Sequence, residues 1–573
     1  MKRMLLFHTP KNIIFPKFWG LTGKRFHQIG IRGREMAPQQ DEKQVDWELT
    51  RRDFLCRAGL GVAGISLAGI PRFGYGAEKK PKYGGRLRIG ERFGPTGLDA
   101  HKNQYIIDFF NYVLMYNALT IMGPLPDAKM YPDLAKSWDI SKDGREYTFL
   151  LREGVKFHHG KELDSADVKY SIERVMNPAT RSPRAFAYAW IDSVSIIDKY
   201  HIKIQLKEPY GPFLTTLTIQ TCPIIPAGWE PTGMKPAPGT GPFMFKSIVP
   251  NETTEHVRFN RYWEVDPRTG GRLPYLDSIL IKKIVDETTR WIALRAGDLD
   301  FITAPAQTVV AQEIKKPTPG VTTVNPDPLG CTWVYFNASK PPFDNKKVRQ
   351  AVAYAIDKKE VVNAAYWGLA KVSNNQPFLE GSQMYIPVED REPDLARAKQ
   401  LLAEAGYPDG FKTEFFQFYY SLTIDACNVI IGQLKKIGIE ATIKIIDRAP
   451  YFDSMRKGNY NISVMVESIR VDPDDAFFLT MHSGEIGKNN WSRYANKELD
   501  QLLEAGRTAW KWPDRLPYYK KVVEIVKEDL PIFYVARTQT PVAYRDYVKG
   551  FGAGAGTWFG YYGGGLKMTW LDK

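Results

Sequence analysis

One uncharged apolar run stands alone in this sequence. It extends from Ala58 to Ile70 and is interrupted by Gly59, Gly61, Gly64 and Gly69. Its 13 residues fall short of the ~20 needed to cross a bilayer core, and its glycines make a poor helix interior. No comparable run follows, so everything after it must fold in water by burying apolar side chains scattered among polar ones. At 573 residues that implies about two to four domains rather than one core. The composition is globular, with 43% hydrophobic and 25% charged residues.

The run follows Thr50-Arg51-Arg52-Asp53-Phe54-Leu55 and precedes the small-residue stretch Gly74-Tyr75-Gly76-Ala77. This arrangement resembles a bacterial twin-arginine signal, which exports proteins already folded. The expectation is a periplasmic protein, with Arg51, Arg52, Phe54 and Leu55 as the signal and cleavage near Ala77. Cys56 lies before the apolar run and after a bulky Leu55, the wrong context for lipidation. Residues 1–49 are basic, aromatic and aperiodic, and Met36 would begin a signal of ordinary length. Of the net charge of +14, residues 1–77 carry +7. The rest is a mild bias without a basic block, which gives no reason to expect nucleic acid as a partner.

Beyond residue 77, strand and helix signals alternate. Tyr147, Phe149 and Leu151 alternate with polar or outward positions, as do Ile202, Ile204 and Leu206, so both segments read as half-buried strands. Between them, Asp164 or Ser165 can cap a helix whose apolar face is Val168, Ile172, Val175 and Met176. Val348, Ala351, Val352, Ala355 and Ile356 give a second amphipathic helix. Leu395, Ala398, Leu402 and Ala405 give a third, ended by Gly406 and Pro408. Thr442–Ile446 reads as a strand after a further helix. The fold class is α/β, with elements able to pair in parallel. Pro and Gly clusters mark joints at Pro223–Pro242 and near Pro317–Gly330. In the glycine-rich tail, Gly552, Gly554 and Gly556 lack the strand–loop–helix context of a dinucleotide site and read as an irregular loop.

No motif asks to be catalytic. The G-x-S-x-G elbow is absent, and His158-His159 with Glu162 reads as a turn between strand and helix. Asp472-Pro473-Asp474-Asp475 has the composition of a hard-cation site but reads more simply as a solvated turn or helix start. The eight histidines and four cysteines supply neither a metal centre nor a disulfide scaffold. Of the cysteines, Cys222, Cys331 and Cys427 lie past the signal, and an oxidising compartment permits one pair among them. The expectation is no enzyme, no cofactor and no metal.

A longer series of blocks is more specific. Pro132-Asp133-Leu134-Ala135-Lys136-Ser137-Trp138, Asp143-Gly144, Tyr147-Thr148-Phe149 and Leu151-Arg152-Glu153-Gly154-Val155-Lys156-Phe157-His158-His159-Gly160 run in order to Ser165-Ala166-Asp167-Val168. Gly239-Thr240-Gly241-Pro242-Phe243, Arg261-Tyr262-Trp263 and Ala296-Gly297-Asp298-Leu299-Asp300 follow. Then come Phe343-Asp344 with Val348-Arg349-Gln350-Ala351, Leu401 to Tyr407, and Leu434-Lys435-Lys436-Ile437-Gly438-Ile439. This order resembles the extracellular solute-binding proteins of family 5, the dipeptide, oligopeptide and nickel-type receptors of ABC importers. The likeness covers nearly all of residues 83–550.

The resemblance implies a two-lobed periplasmic-binding-protein-like clamp (type II) with an additional domain, its first lobe discontinuous. It implies residues 1–77 as extension and signal, 78–113, 234–328 and 540–573 as the first lobe, 114–233 as the extra domain and 329–539 as the second lobe. The implied function is a monomeric receptor that captures a small peptide or peptide-like solute by hinge closure and delivers it to an inner-membrane ABC permease. The alternatives are a peptide-holding, chaperone-like protein without a transporter and an exported hydrolase.

In dipeptide-binding relatives an Asp just before the D-P-D segment takes the ligand ammonium. Here that position falls on Ile469, and the relatives' carboxylate-binding Arg falls near Gln417. A buried ammonium facing Ile469 would be unpaired, so a larger or less peptide-like ligand is expected: a modified peptide, an opine-like conjugate or an oligosaccharide. Glu467 and Arg470 flank the lost Asp and can supply ion pairs or be surface charge. Asn489, Asn490 and Trp491 fall on the family's ligand-facing loop, and Thr96, Gln104 and Tyr105 on its first cleft segment. Trp333 and Tyr335 fit either pocket or core. The 13% aromatic content suits a site for adaptable organic ligands as well as a core.

Overall fold

Three sheets organise the chain. The computed structural model describes residues 80–102, 106–123, 129–218, 222–326, 328, 330–468, 472–552 and 565–573. The signal residues Arg51, Arg52, Phe54 and Leu55, the apolar run after them and most of the glycine-rich tail lie outside the described residues. Among the described residues no helix is long and apolar enough to cross a membrane.

The seven-strand sheet is built from distant parts of the chain. Its order is Val321–Val324, Val542–Arg545, Phe301–Thr303, Arg86–Glu91, Ser278–Lys283, Thr253–Arg258 and Phe243–Val249. Arg86–Glu91 runs parallel to both its neighbours, and the other pairs are antiparallel. The six-strand sheet has the order Lys371–Val372, Ile532–Thr538, Gly330–Phe336, Ile462–Ser468, Phe411–Phe418 and Ile439–Ile446. Here Phe411–Phe418 is the strand parallel to both neighbours. Parallel pairing is thus confined to one strand and its two neighbours in each sheet.

Two short connections join these sheets. The chain leaves the first at Val324 and enters the second at Gly330; it leaves the second at Thr538 and re-enters the first at Val542. Val324 pairs with Val542, and Gly330 pairs with Thr538. The two crossings are therefore held in register at both ends.

The six-strand sheet is covered on both faces. Val334 and Phe336 point into a cluster with Val348, Val352, Ala398 and Ile430 from helices Lys346–Ala355, Leu395–Glu404 and Ser421–Lys435. Trp333 and Tyr335 point to the other face, with Leu499, Leu503, Val522 and Val526 from helices Lys497–Thr508 and Trp512–Asp529. A strand buried on both faces reads as a continuous apolar run, as Gly330–Phe336 and Ile532–Thr538 do.

The four-strand sheet, ordered Ala135–Ile140, Glu146–Leu151, His201–Leu206, Ile191–Ile196, is antiparallel throughout. Tyr147, Phe149, Leu151, Ile202, Ile204 and Leu206 are buried while their alternates are only half-buried. Helix Ser165–Met176 packs on the buried face through Val168, Ile172 and Val175. Asp164 caps it, accepting from the Ala166 and Asp167 amides, and Asp167 returns a bond from the Asp164 amide at 3.0 Å. This reciprocal box satisfies amides that an open first turn would leave bare.

Cys222, Cys331 and Cys427 are free, buried thiols in three different apolar clusters. The one disulfide that the compartment would permit does not form among them.

Candidate functional site

The six-strand lobe ends in an aromatic shelf. Tyr335 stands beside Trp491 with ring centroids 5.6 Å apart, and Trp491 meets Phe452 at the same distance. The indole is fixed by its own loop, because Trp491 Nε1 donates to Lys488 O at 3.1 Å and Tyr460 donates to Trp491 O at 2.6 Å. Glu467, at the end of strand Ile462–Ser468, lies 3.5 Å from the Tyr335 hydroxyl. Asn489 projects from the same loop as Trp491, with its amide donating to Glu485 at 2.8 Å.

Tyr335, Glu467, Asn489 and Trp491 form one wall of a cavity of about 360 Å³. Leu479 and Thr480 continue that wall, while Lys102 of the seven-strand lobe and Arg181, Pro183, Arg184 and Phe186 of the four-strand domain form the opposite one. Such a volume suits a small organic solute. The lobes also meet away from the cavity, where the Arg92 guanidinium lies over the Tyr420 ring at 5.1 Å.

Leu479 and Thr480 follow a π-helical turn, Asp474–Phe478, which the preceding acidic run begins. The solvated reading of that run is corrected here. Arg515 grips Asp472 with two bonds of 2.8 and 2.6 Å, both side chains being almost fully buried. Arg507 lies 2.8 Å from Asp474, which also accepts from the Tyr210 hydroxyl at 3.0 Å. Burial holds the Asp474 carboxyl above the usual carboxylate range despite Arg507 beside it. The arginines lie on helices 33 and 43 residues further on, so the local composition gave no sign of them.

The remaining expectations fall in several places. Asn490 is buried and structural: it donates to His482 O and Tyr494 O and accepts from Ser492. Gln417 is buried on strand Phe411–Phe418, 3.4 Å from Ser463, and is not among the described lining residues. Thr96 donates through both its amide and its hydroxyl to Asp108 in the first turn of helix Ile106–Met115. Gln104, Tyr105, Ile469 and Arg470 lie outside the described residues. Of the two ambiguous aromatics, Trp333 is core and Tyr335 borders the cavity. His158 sits in a turn, accepting from the Gly239 amide and bonded to Gly241 O at 3.0 Å, while Glu162 binds Lys156 and Lys199.

Sequence reasoning missed Lys102, Arg181, Arg184 and Phe186. Lys102 and Arg181 sit in turns, and Arg184 and Phe186 at the start of the four-residue helix Ala185–Tyr188, all too short to show a helical or strand period, so only the fold brings them to the cleft.

Comparison with known proteins fits this geometry. The sequence pattern of the bacterial extracellular solute-binding proteins, family 5 Middle, matches residues 129–489. Heme-binding protein A of Haemophilus influenzae is 32% identical over 456 residues, covering 73% of this chain and 81% of its own. A glutathione-binding protein of Salmonella paratyphi A is 28% identical over 465 residues, covering 78% and 88%. Among solved structures, a periplasmic binding protein of Helicobacter pylori in complex with the peptide STSA superposes with a TM-score of 0.74 at 27% identity, covering 86% of this chain and 99% of that one.

Proposed function

Because the chain belongs to the bacterial extracellular solute-binding proteins of family 5, we propose that it captures a peptide or peptide-like solute between its lobes and delivers it to the permease of an ABC importer. The observation that carries this reading is the cavity of about 360 Å³ walled from both lobes. Bending at the paired crossings, residues 325–329 and 539–541, opens and closes that cavity. Residues 329–539 form the moving lobe; residues 78–113, 234–328 and 540–573 form the other, and 114–233 the extra domain. The protein works by binding, without a chemical step, as a monomer in the periplasm after twin-arginine export and cleavage near Ala77.

In this reading Glu467 pairs with the ligand ammonium, two residues before the Ile469 position where dipeptide receptors carry their Asp. Arg470 is a second ion-pairing group. Trp491, half-buried and tilted against Tyr335, offers an apolar surface, and Asn489 a hydrogen-bonding edge. Ligand bound at a hundredfold excess over Kd stabilises the closed state by roughly 2.7 kcal/mol.

Native mass spectrometry of the full-length chain, expressed in a host that exports and processes it, tests the proposal. A discrete added mass that fragments into amino acids is expected. A purely saccharide mass would overturn the peptide assignment, and a bound solute converted during incubation would overturn the reading of a receptor without chemistry.

A further inference from the structure

Building on that reading, we propose that Phe186 and Trp491 are two aromatic jaws of the cavity and make it selective for solutes that carry an aromatic side chain. Both line it, Phe186 from the four-strand domain and Trp491 from the six-strand lobe. Phe186 is 37% exposed and belongs to none of the apolar clusters of the described residues. Among the described residues no other aromatic side chain that exposed lines the cavity.

The local structure holds both rings in place. Successive residues of a helix are turned by about 100°, so residues two apart face nearly opposite ways. In the short helix Ala185–Tyr188, Ala187 and Tyr188 are buried in the apolar cluster of the four-strand sheet, and the Tyr188 hydroxyl donates to Thr216 O. With Tyr188 pinned inward, Phe186 is left facing out. The turn is tied by the Ala185 amide donating to Ser182 O at 3.2 Å and the Ala187 amide to Arg184 O at 2.9 Å. Among the described residues the Phe186 ring meets no other aromatic ring and no cation. Trp491 is braced differently, by Tyr335 and Phe452, each with its ring centroid 5.6 Å away. Its one polar side-chain atom, Nε1, is already spent on Lys488 O at 3.1 Å. What the indole has left for a solute is ring carbon.

A single exposed apolar side chain is ordinary on a protein surface. Phe186 differs in where it stands, across a solute cavity from a second ring. An aliphatic solute covers these rings by contact area alone. An aromatic one adds offset-stacked or edge-to-face contacts, which follow from the negative face and positive edge of each ring. A solute ring between the jaws gains such contacts from both walls. The solute class is therefore a short peptide, or a conjugate of one, with an aromatic side chain seated between Phe186 and Trp491.

The test uses the full-length chain from the exporting host and equimolar pairs of di- to hexapeptides that differ only by Phe against Leu. The exchange is placed at each position in turn, and the pairs are offered one at a time. Native mass spectrometry reads the bound fraction of each member. The wild type is expected to favour the Phe member by about fivefold to tenfold at one position or more. Phe186→Leu, which keeps an apolar side chain but removes the ring, should bring that ratio close to one with the thermal midpoint unchanged. Phe186→Trp should retain the preference. So should Phe93→Leu, which removes an exposed ring of the seven-strand lobe outside the cavity. Equal binding of both members by the wild type, or a preference for Leu, would overturn the aromatic jaws and leave the peptide receptor standing, as would a preference that survives in Phe186→Leu. Failure of the folded protein to retain any peptide would overturn both proposals.

Discussion

The four-strand domain is attached at two seams made of different material. Against the seven-strand lobe, backbone lies on backbone: a Cβ placed on Gly239 would sit 1.8 Å from Met115 O, and one on Gly241 would be 2.5 Å from the Met115 carbonyl carbon. Ile225 and Ala237 share one apolar cluster there with Leu98, Phe109 and Tyr112. His101 bonds Pro223 O at 2.8 Å, and Arg174 bridges Asp99 and Glu230. Against the six-strand lobe, the contact is a latch of charge and rings. Tyr210 reaches Asp474, the Gly211 amide donates to Arg507 O at 2.9 Å, and the Arg507 guanidinium lies over Trp190 and Tyr210. The first seam has no alternative arrangement. The second is built from side chains, hydrogen bonds and ring contacts rather than backbone in contact with backbone.

Four perturbations separate these seams. Gly239→Ala should be the most damaging, because neither backbone can give way; a loss of at least about 4 kcal/mol would appear in urea denaturation, and a well-folded variant would show that the seam yields. Arg507→Ala should cost roughly 3 kcal/mol by stranding the Asp474 carboxylate, whereas Arg507→Met with Asp474→Leu should recover most of that loss. Paired denaturation curves decide between stranding and simple loss of packing.

Acid should act on the first seam. Burial pushes His101 and His158 down from 6.5 to about 4, so the folded protein keeps both neutral while the unfolded chain takes up protons below pH 6.5. Their contribution is complete above pH 6.5 and is lost as pH falls toward 4, amounting to about 2 kcal/mol per histidine by pH 5. Denaturation at pH 7 and pH 5 should show this fall, and a variant with His101→Gln should show less of it. The smallest effect belongs to Tyr210→Phe, which removes one hydrogen bond of the latch. It should cost about 1 kcal/mol and speed hydrogen exchange in the Asp474–Phe478 turn while leaving exchange near Gly239 unchanged.

Legibility in the sequence follows the same divide between one-sided and two-sided burial. The four-strand domain could be read because Tyr147, Phe149 and Leu151 show one buried face, and because Asp164 and Asp167 spell out a helix start. Trp333 and Tyr335 could not be resolved into core and pocket, since every residue of Gly330–Phe336 is buried and no alternation distinguishes them. In the site, Trp491 and Asn489 were found by position in a familiar block order. Arg181 and Arg184 were not, because a loop residue's role depends on which surface the tertiary fold places opposite it. Asp472 and Asp474 were misread for a related reason: three carboxylates within four residues suggest solvent, and only their distant arginine partners make burial tolerable.

The order of strands in the seven-strand sheet also bears on how the protein is made. Arg86–Glu91, near the start of the described chain, occupies the centre of that sheet, yet the strand Val542–Arg545 that separates Phe301–Thr303 from Val321–Val324 is among the last to be synthesised. Among the described residues Val321–Val324 has no other strand partner. Lys82 and Arg88 near the beginning bond Asp572 and Asp300, and Lys573 reaches Asp300 as well. During translation both sheets wait for late strands, the six-strand sheet for Ile532–Thr538 between Lys371–Val372 and Gly330–Phe336, and the seven-strand sheet for Val542–Arg545. Until Val542–Arg545 has emerged, Phe301–Thr303 and Val321–Val324 each carry an unpaired edge that this strand covers in the folded sheet.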